Sequence, residues 1–134
     1  MKNIILLLSL ITLITAQELS CKDKAHNTYE LMDCQKIEIK QYESVMQRYL
    51  LKSIERFKDQ KELIPLMEKS QKYWLAYRKL ECSAIYKQWV EGSIRGLMHG
   101  QCLIDMTKRR THEIWENYLT YIDSTPAVLA KPKW

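Results

Sequence analysis

Apolar residues recur at intervals of three and four along three segments of the chain, the spacing that places side chains on one face of an α-helix. The three sets are Met46, Tyr49, Leu50, Ile54 and Phe57; Met67, Trp74, Tyr77 and Ile85; and Leu103, Met106, Ile114, Tyr118 and Tyr121. This pattern predicts an all-α fold with three long antiparallel helices in a small bundle.

Residues that interrupt helices support the same three segments. The glycines stand at positions 92, 96 and 100, and the prolines at positions 65, 126 and 132. Residues 28–58, 66–90 and 101–124 contain neither type, so we expect the helices there. Asn27 and Glu30 have nearly the spacing of a capping box and predict where the first helix begins.

Two stretches lack the helical pattern. Residues 91–100, with the sequence EGSIRGLMHG, contain all the glycines and are predicted to form a loop between the second and third helices. The tail at residues 125–134 contains two prolines and is expected to drape over the bundle or to fray. We therefore expect one helical domain at residues 17–124, followed by this tail.

Residues 1–16 have the organisation of a secretory signal peptide. Lys2 supplies a positive start, and the apolar run from Ile4 to Ile14 is too short to span a bilayer. Ala16 is a small residue suited to cleavage. We expect cleavage after Ala16, a periplasmic or secreted protein, and no membrane span once the signal peptide is removed.

The cysteines are Cys21, Cys34, Cys82 and Cys102, all of them downstream of the signal peptide. An even number of cysteines in a small exported protein predicts two disulfides. Cys21–Cys34 with Cys82–Cys102 is favoured because each bond joins neighbours across a short loop. Cys34–Cys82 with Cys21–Cys102 stays open, because a helical hairpin near residue 60 also brings Cys34 close to the second helix.

The chain is basic, with 21 Lys and Arg residues against 16 Asp and Glu residues. Loss of Lys2 with the signal peptide leaves 20 basic residues and a formal charge of +4. Acidic residues are interleaved with the basic ones, which is typical of a solvated surface. No arginine-rich, aromatic-lined stretch is present in the sequence, so we expect no nucleic-acid partner.

Two charged residues fall on the predicted apolar faces. Arg110 lies four residues after Met106, and Glu81 lies four residues after Tyr77. An inward charge is costly unless it is paired. We therefore predict a structural ion pair between Glu81 and Arg110, with Arg78 or Glu30 as possible additional members.

The sequence contains no recognisable catalytic or cofactor motif. The histidines at positions 26, 99 and 112 do not have the spacing of metal ligands, and no phosphate-binding loop, dinucleotide fingerprint or nucleophile elbow is present. We therefore expect a protein that is not an enzyme and that has no catalytic residue, cofactor or metal.

Several short motifs, taken in order, are similar to those of a known family. They are Thr28-Tyr-Glu30-Leu-Met-Asp-Cys34; Gln71-Lys-Tyr-Trp74 with Tyr77-Arg78 and Glu81-Cys82; Gly92-Ser93; and Cys102, Thr107 and Arg110. This series resembles the lysozyme inhibitor LprI-like domain. In the first helix, Glu43 and Gln47 replace the Asp and Asn of that family, and Glu91 replaces a glycine of its loop.

The resemblance implies a small helical binding module without catalysis, whose partner is a lysozyme-type protein or another envelope protein. Lysozyme clefts contain two carboxylates, so a basic loop could enter one. Arg95, Met98 and His99 are therefore the candidate partner-binding residues of the loop at 91–100. The alternative, suggested by the basic charge, is an envelope structural or stress protein that binds anionic wall polymer.

Overall fold

The computed structural model describes residues 20–134, and those residues form a bundle of helices. The helices are α1 (Cys21–Lys24), α2 (Thr28–Arg56), α3 (Leu63–Gln88) and α4 (Arg95–Tyr118). No β-strand occurs between residues 20 and 134. The predicted all-α, disulfide-linked bundle is confirmed, with one additional short helix at its start. The predicted signal peptide and its cleavage point lie outside the described residues.

Local sequence accounts for the start of α2. The Asn27 side chain accepts a hydrogen bond from the Glu30 amide at 3.0 Å, which satisfies one of the free amides of the first turn. The Glu30 carboxylate in turn accepts a hydrogen bond from the His26 amide at 2.7 Å. Glu30 is therefore occupied at the helix start and does not join an ion pair in the core.

Helix α4 begins earlier than expected, because most of the predicted loop at 91–100 is helical. Gly96 and Gly100 lie on one face of α4, four residues apart. A Cβ atom at these two positions would collide with the side chains of Met32 and Gln35 in α2, respectively. At Gly100 the collision extends to the Cδ atom of Gln35, so this glycine lets α4 pack closely on α2, and the packing outweighs the poor helix propensity of glycine. At Gly96 only the flexible end of Met32 is too close, so the packing depends less on that glycine.

The core forms where α4 packs against α2. Its buried residues include Met46, Tyr49 and Leu50 from α2 and Ile114 from α4, together with Leu119 just beyond α4. The apolar pattern had predicted the first four of these residues, and each occupies the expected face of its helix. Helix α4 also packs along α3, so it contacts both other long helices.

The C-terminal tail is folded onto the bundle. The Tyr49 hydroxyl donates to the Ala130 carbonyl at 2.7 Å, and the Trp115 indole donates to the Leu129 carbonyl at 2.9 Å. The Val128 amide donates to the Leu119 carbonyl at 2.8 Å, and Val128 and Leu129 pack on the core. Of the two expectations for the tail, it drapes over the bundle and does not fray.

The buried face of α3 agrees with the prediction at Met67 and differs from it at Tyr77. Its buried residues are Met67, Gln71, Arg78 and Cys82, whereas Tyr77 is 55% exposed. These four positions recur at helical spacing and place Arg78, one residue after Tyr77, on the inner side. Glu81 is consequently on the solvent side of α3.

Candidate functional site

A polar cluster lies between the three long helices and is centred on Arg78. The Arg78 guanidinium donates to the Thr107 hydroxyl of α4 at 2.6 Å and to the Glu43 carboxylate of α2 at 2.6 Å. The Thr107 hydroxyl donates onward to the Leu103 carbonyl at 2.7 Å. One buried cation therefore connects α3 to both neighbouring helices.

Arg110 lies in the same region but has different partners from those predicted. Its guanidinium donates to Gln71 at 3.1 Å, to Ser70 at 3.2 Å and to the Glu113 carboxylate at 3.1 Å. The predicted ion pair between Glu81 and Arg110 is not formed, because Glu81 faces solvent. Arg110 does point inward as expected, and it is compensated by the Glu113 carboxylate on its own helix together with Gln71 and Ser70 of α3.

Trp74 connects the two arginines. Its ring lies 5.3 Å from the Arg78 guanidinium carbon and 5.8 Å from that of Arg110. Both distances are within the range of cation–π attraction, which is stronger when the groups are desolvated. The cluster is thus a packed junction in which each arginine has an acidic partner, although the buried Arg78 Nε has no hydrogen-bond partner among residues 20–134. This arrangement favours stability over chemistry.

Two disulfides reinforce the bundle. Cys21–Cys34 attaches α1 to α2, with the Cα atoms 5.6 Å apart. Cys82–Cys102 joins α3 to α4, with the Cα atoms 5.5 Å apart. These two bonds together are the pairing that the sequence favoured over Cys34–Cys82 with Cys21–Cys102. Tertiary packing brings Cys82 and Cys102 together at the end of the bundle where α3 turns into α4.

A cleft of about 540 Å³ lies at that end of the bundle, and we call it the loop-end cleft. It lies between the start of α2, the end of α3 and the start of α4. Its lining residues are Thr28, Tyr29, Met32, Tyr86, Val90, Glu91, Gly92, Ser93, Arg95 and Gly96. Tyr29, Val90 and Ile94 are exposed at or beside its rim, so this end presents apolar surface next to charge.

The three candidate residues of the predicted loop are divided between two sides of α4. The Arg95 guanidinium carbon lies 4.9 Å from the centre of the Tyr86 ring, and the His99 ring lies 6.0 Å from it. Met98 instead lines a small pocket with Leu31 of α2. The structure therefore brings Arg95 and His99 together around Tyr86 and separates Met98 from them.

Tyr86 was not identified from the sequence, although a clue was present. Tyr86 follows Cys82 by four residues, and His99 precedes Cys102 by three. Once these cysteines are bonded, residues one helical turn from each are neighbours across the α3–α4 interface. The disulfide therefore predicts the contact between Tyr86 and His99, provided that the pairing is known.

Within residues 20–134, no three His, Cys, Asp or Glu side chains are grouped so that they could hold a metal ion. In the same part of the chain, no helix has the length and apolar character needed to cross a membrane.

A known protein family matches most of the chain. A family model described as lysozyme inhibitor LprI matches residues 21–114, from the first residue of α1 to the last turns of α4. The chain belongs to the lysozyme inhibitor LprI family. No curated protein and no solved structure is significantly similar to it.

Several residues that carry the LprI resemblance belong to the polar cluster or to the disulfides. Gln71, Trp74, Arg78, Thr107 and Arg110 are the members of the polar cluster, and the cysteines form the two disulfides. The first-helix position where the family has Asp is filled by Glu43, whose carboxylate is the partner of Arg78. These motif residues therefore join the helices, whereas Tyr77 and Glu81 of the same motif face solvent.

Proposed function

We propose that this LprI-family protein is a secreted or periplasmic binding module that inhibits a lysozyme-type enzyme and has no catalytic activity of its own. The observation that carries the proposal is the match to the lysozyme inhibitor family over residues 21–114. Two disulfides support an oxidising compartment, because such bonds are rare in the cytosol.

The bundle end at the α3–α4 turn is the surface we assign to the enzyme. It presents the exposed apolar residues Val90 and Ile94 beside the exposed Arg95. The Cys82–Cys102 bond holds this end in a fixed shape, and a preorganised surface binds with less loss of conformational entropy. We assign the α3–α4 turn to the substrate cleft of the enzyme, where inhibition requires only that substrate be excluded.

Arg95 is the residue we expect to contact the enzyme's carboxylates. Glycosidases of this kind hold a pair of carboxylates at the scissile bond. Arginine pairs with carboxylate through strong, charge-assisted hydrogen bonds. The Arg95 guanidinium packs over Tyr86 and contacts the Val90 carbonyl only at 3.5 Å, so its remaining donors are available to a partner.

The test is a wall-lysis assay in which the purified protein is mixed with an animal lysozyme and, separately, with a bacterial one. We expect inhibition at micromolar protein, and at least a tenfold weaker effect for Arg95→Ser, from the loss of about 1.5–3 kcal/mol of charged hydrogen bonding. Arg109→Ser is the matched control, because Arg109 is also exposed on α4.

Two outcomes separate the parts of this proposal. Absence of inhibition by the unmodified protein against every lysozyme tested would contradict the function itself. Equal inhibition by the Arg95 and Arg109 variants would keep the function and contradict the assigned surface. Binding measured by calorimetry gives the same distinction without relying on lysis.

A second candidate function is binding of anionic wall polymer by an envelope structural or stress protein. It is favoured by the formal charge of +4 without Lys2 and by the lysines of α3. Such binding would depend steeply on salt, because it would consist mainly of screened charge attraction. Retention of the protein on isolated wall polymer at low salt, with release near physiological ionic strength, would support it.

A further inference from the structure

An apolar stripe runs along the solvent side of α3. Leu66 is 64% exposed, Tyr73 is 62% exposed, Tyr77 is 55% exposed and Leu80 is 72% exposed. Their separations of seven, four and three residues place them on one side of the helix. At about 1.5 Å rise per residue, the stripe is roughly 20 Å long.

This stripe is distinct from the face that α3 buries. The inner residues Met67, Gln71, Arg78 and Cys82 contact the rest of the bundle, so the core does not use the stripe. The four exposed side chains present roughly 400–500 Å² of surface, the size at which exposed apolar patches on monomers are often functional. A patch of this kind indicates an interaction surface.

Lysines flank the stripe on one side of α3. Lys69 and Lys87 lie within about 80° of every stripe residue around the helix axis, whereas Lys72 and Lys79 lie farther round the helix; all four are exposed. Glu81, also exposed, lies on the other side of the stripe. Within residues 20–134, none of these four lysines forms an ion pair, although the Lys69 ammonium lies 5.9 Å from the centre of the Tyr73 ring. Their charges are therefore available to an anionic partner.

We propose that this face of α3, defined by Leu66, Tyr73, Tyr77 and Leu80 with the lysine edge, docks on the surface of an anionic lipid bilayer. A convex helix with an apolar stripe beside lysines can lie in the plane of a membrane interface. The leucine and tyrosine side chains enter the boundary between headgroups and acyl chains. The lysine ammonium groups meet lipid phosphates, while their aliphatic stems cover apolar surface.

Two other occupants fit this face less well. A second copy of the chain, packed antiparallel through a two-fold axis, would bring each lysine edge against the same edge of its partner, where like charges repel. A soluble polyanion would use the lysines but would have no use for the exposed leucines and tyrosines. A lipid surface satisfies both parts of the face, and this proposal does not depend on lysozyme inhibition.

The experiment is co-sedimentation of the protein with vesicles of 30% phosphatidylglycerol in phosphatidylcholine, compared with phosphatidylcholine alone. We expect binding to the anionic vesicles that weakens as salt is added. The double variant Tyr73→Ser with Tyr77→Ser should bind at least tenfold more weakly. The double variant Lys69→Gln with Lys87→Gln should lose roughly fivefold for each lysine, from the attraction of one basic residue to an anionic membrane surface.

Matched controls come from α2 and from the turn that follows it. Ile37→Ser with Leu51→Ser removes two similarly exposed apolar side chains, and Lys40→Gln with Lys58→Gln removes equal charge elsewhere. Both controls should bind like the unmodified protein. Circular dichroism and thermal melting of every variant establish that the fold is retained.

Several results would overturn the proposal. Absence of binding to anionic vesicles at low salt would do so directly. Binding that needs the lysines but not the tyrosines would identify polyanion attraction in place of a lipid surface. A concentration-dependent dimer that the tyrosine variant abolishes, measured by analytical ultracentrifugation without vesicles, would assign the face to a second copy of the chain.

Discussion

Replacing Arg78 with methionine tests how the LprI motif stabilises the bundle. The change removes two hydrogen bonds of 2.6 Å, to Thr107 and Glu43, and keeps an aliphatic side chain of similar length. Hydrogen bonds to charged groups contribute about 1.5–3 kcal/mol each. The Glu43 side chain is 39% exposed and can regain water, so we reduce the total and expect a loss of about 3 kcal/mol.

For a domain of this size, a loss of about 3 kcal/mol corresponds to a decrease in Tm of roughly 10 °C. Urea denaturation followed by tryptophan fluorescence is a suitable assay, because the Trp74 ring lies 5.3 Å from the Arg78 guanidinium. A double-mutant cycle with Glu43→Gln then isolates the energy of that pair. We expect a coupling energy of about 1–2 kcal/mol.

Glu81→Gln is the control for this series. Glu81 belongs to the same motif but lies on the solvent side of α3, so we expect a change within about 0.5 kcal/mol. The reasoning would be refuted if Glu81→Gln destabilised the protein as much as Arg78→Met did. A coupling energy near zero between Arg78 and Glu43 would also show that the buried ion pair contributes little.

Three further predictions concern other parts of the fold. Gly100→Ala should destabilise the protein by about 1–2 kcal/mol in urea melts, because the added methyl group collides with the buried Gln35 side chain; this cost exceeds the gain from alanine's better helix propensity. Gly92→Ala is the control and should be nearly neutral, because a methyl group there makes only ordinary contacts. Replacing Cys82 and Cys102 together with serine should cost about 3 kcal/mol by the entropy of the unfolded chain. Reduction of the unmodified protein should cost more, because it also opens Cys21–Cys34. Tyr49→Phe should cost about 1 kcal/mol and speed proteolysis of the tail, because the hydrogen bond that holds the Ala130 carbonyl is lost; an unchanged cleavage rate would contradict that role.

The sequence was most informative where apolar periodicity and local capping agree. In α2, the positions of Met46, Tyr49 and Leu50 identified the buried face, and Asn27 identified the first turn. These features depend on neighbours within one or two helical turns, so they can be recognised without the rest of the fold. The all-α class followed from the same pattern.

The predictions failed where tertiary packing decides the outcome. Periodicity assigned Tyr77 to the inner face of α3, whereas that face contains Arg78, a residue that hydropathy excludes from a core. That assignment also placed Glu81 inside. Gly96 and Gly100 suggested a loop, although both lie within α4, where it packs against side chains of α2.

The candidate site was only partly predicted, because its contacts also depend on tertiary packing. Arg95 and His99 were identified by chemistry and position, and the structure places both against Tyr86. Tyr86 itself belongs to another helix, and its place beside them depends on the Cys82–Cys102 pairing, which sequence left open. A contact between helices requires knowledge of their register, which apolar spacing alone does not supply.

The burial of the LprI motif has a consequence for the transfer of function between relatives. Membership is recognised through residues such as Trp74, Arg78 and Thr107, whose side chains are occupied in joining helices. Selection for a particular target would act instead on exposed positions outside the motif, such as Val90 and Arg95 at the loop-end cleft or the residues along α3. Two members could therefore share the whole motif and bind unrelated targets, so each target must be established from the surface of the individual protein.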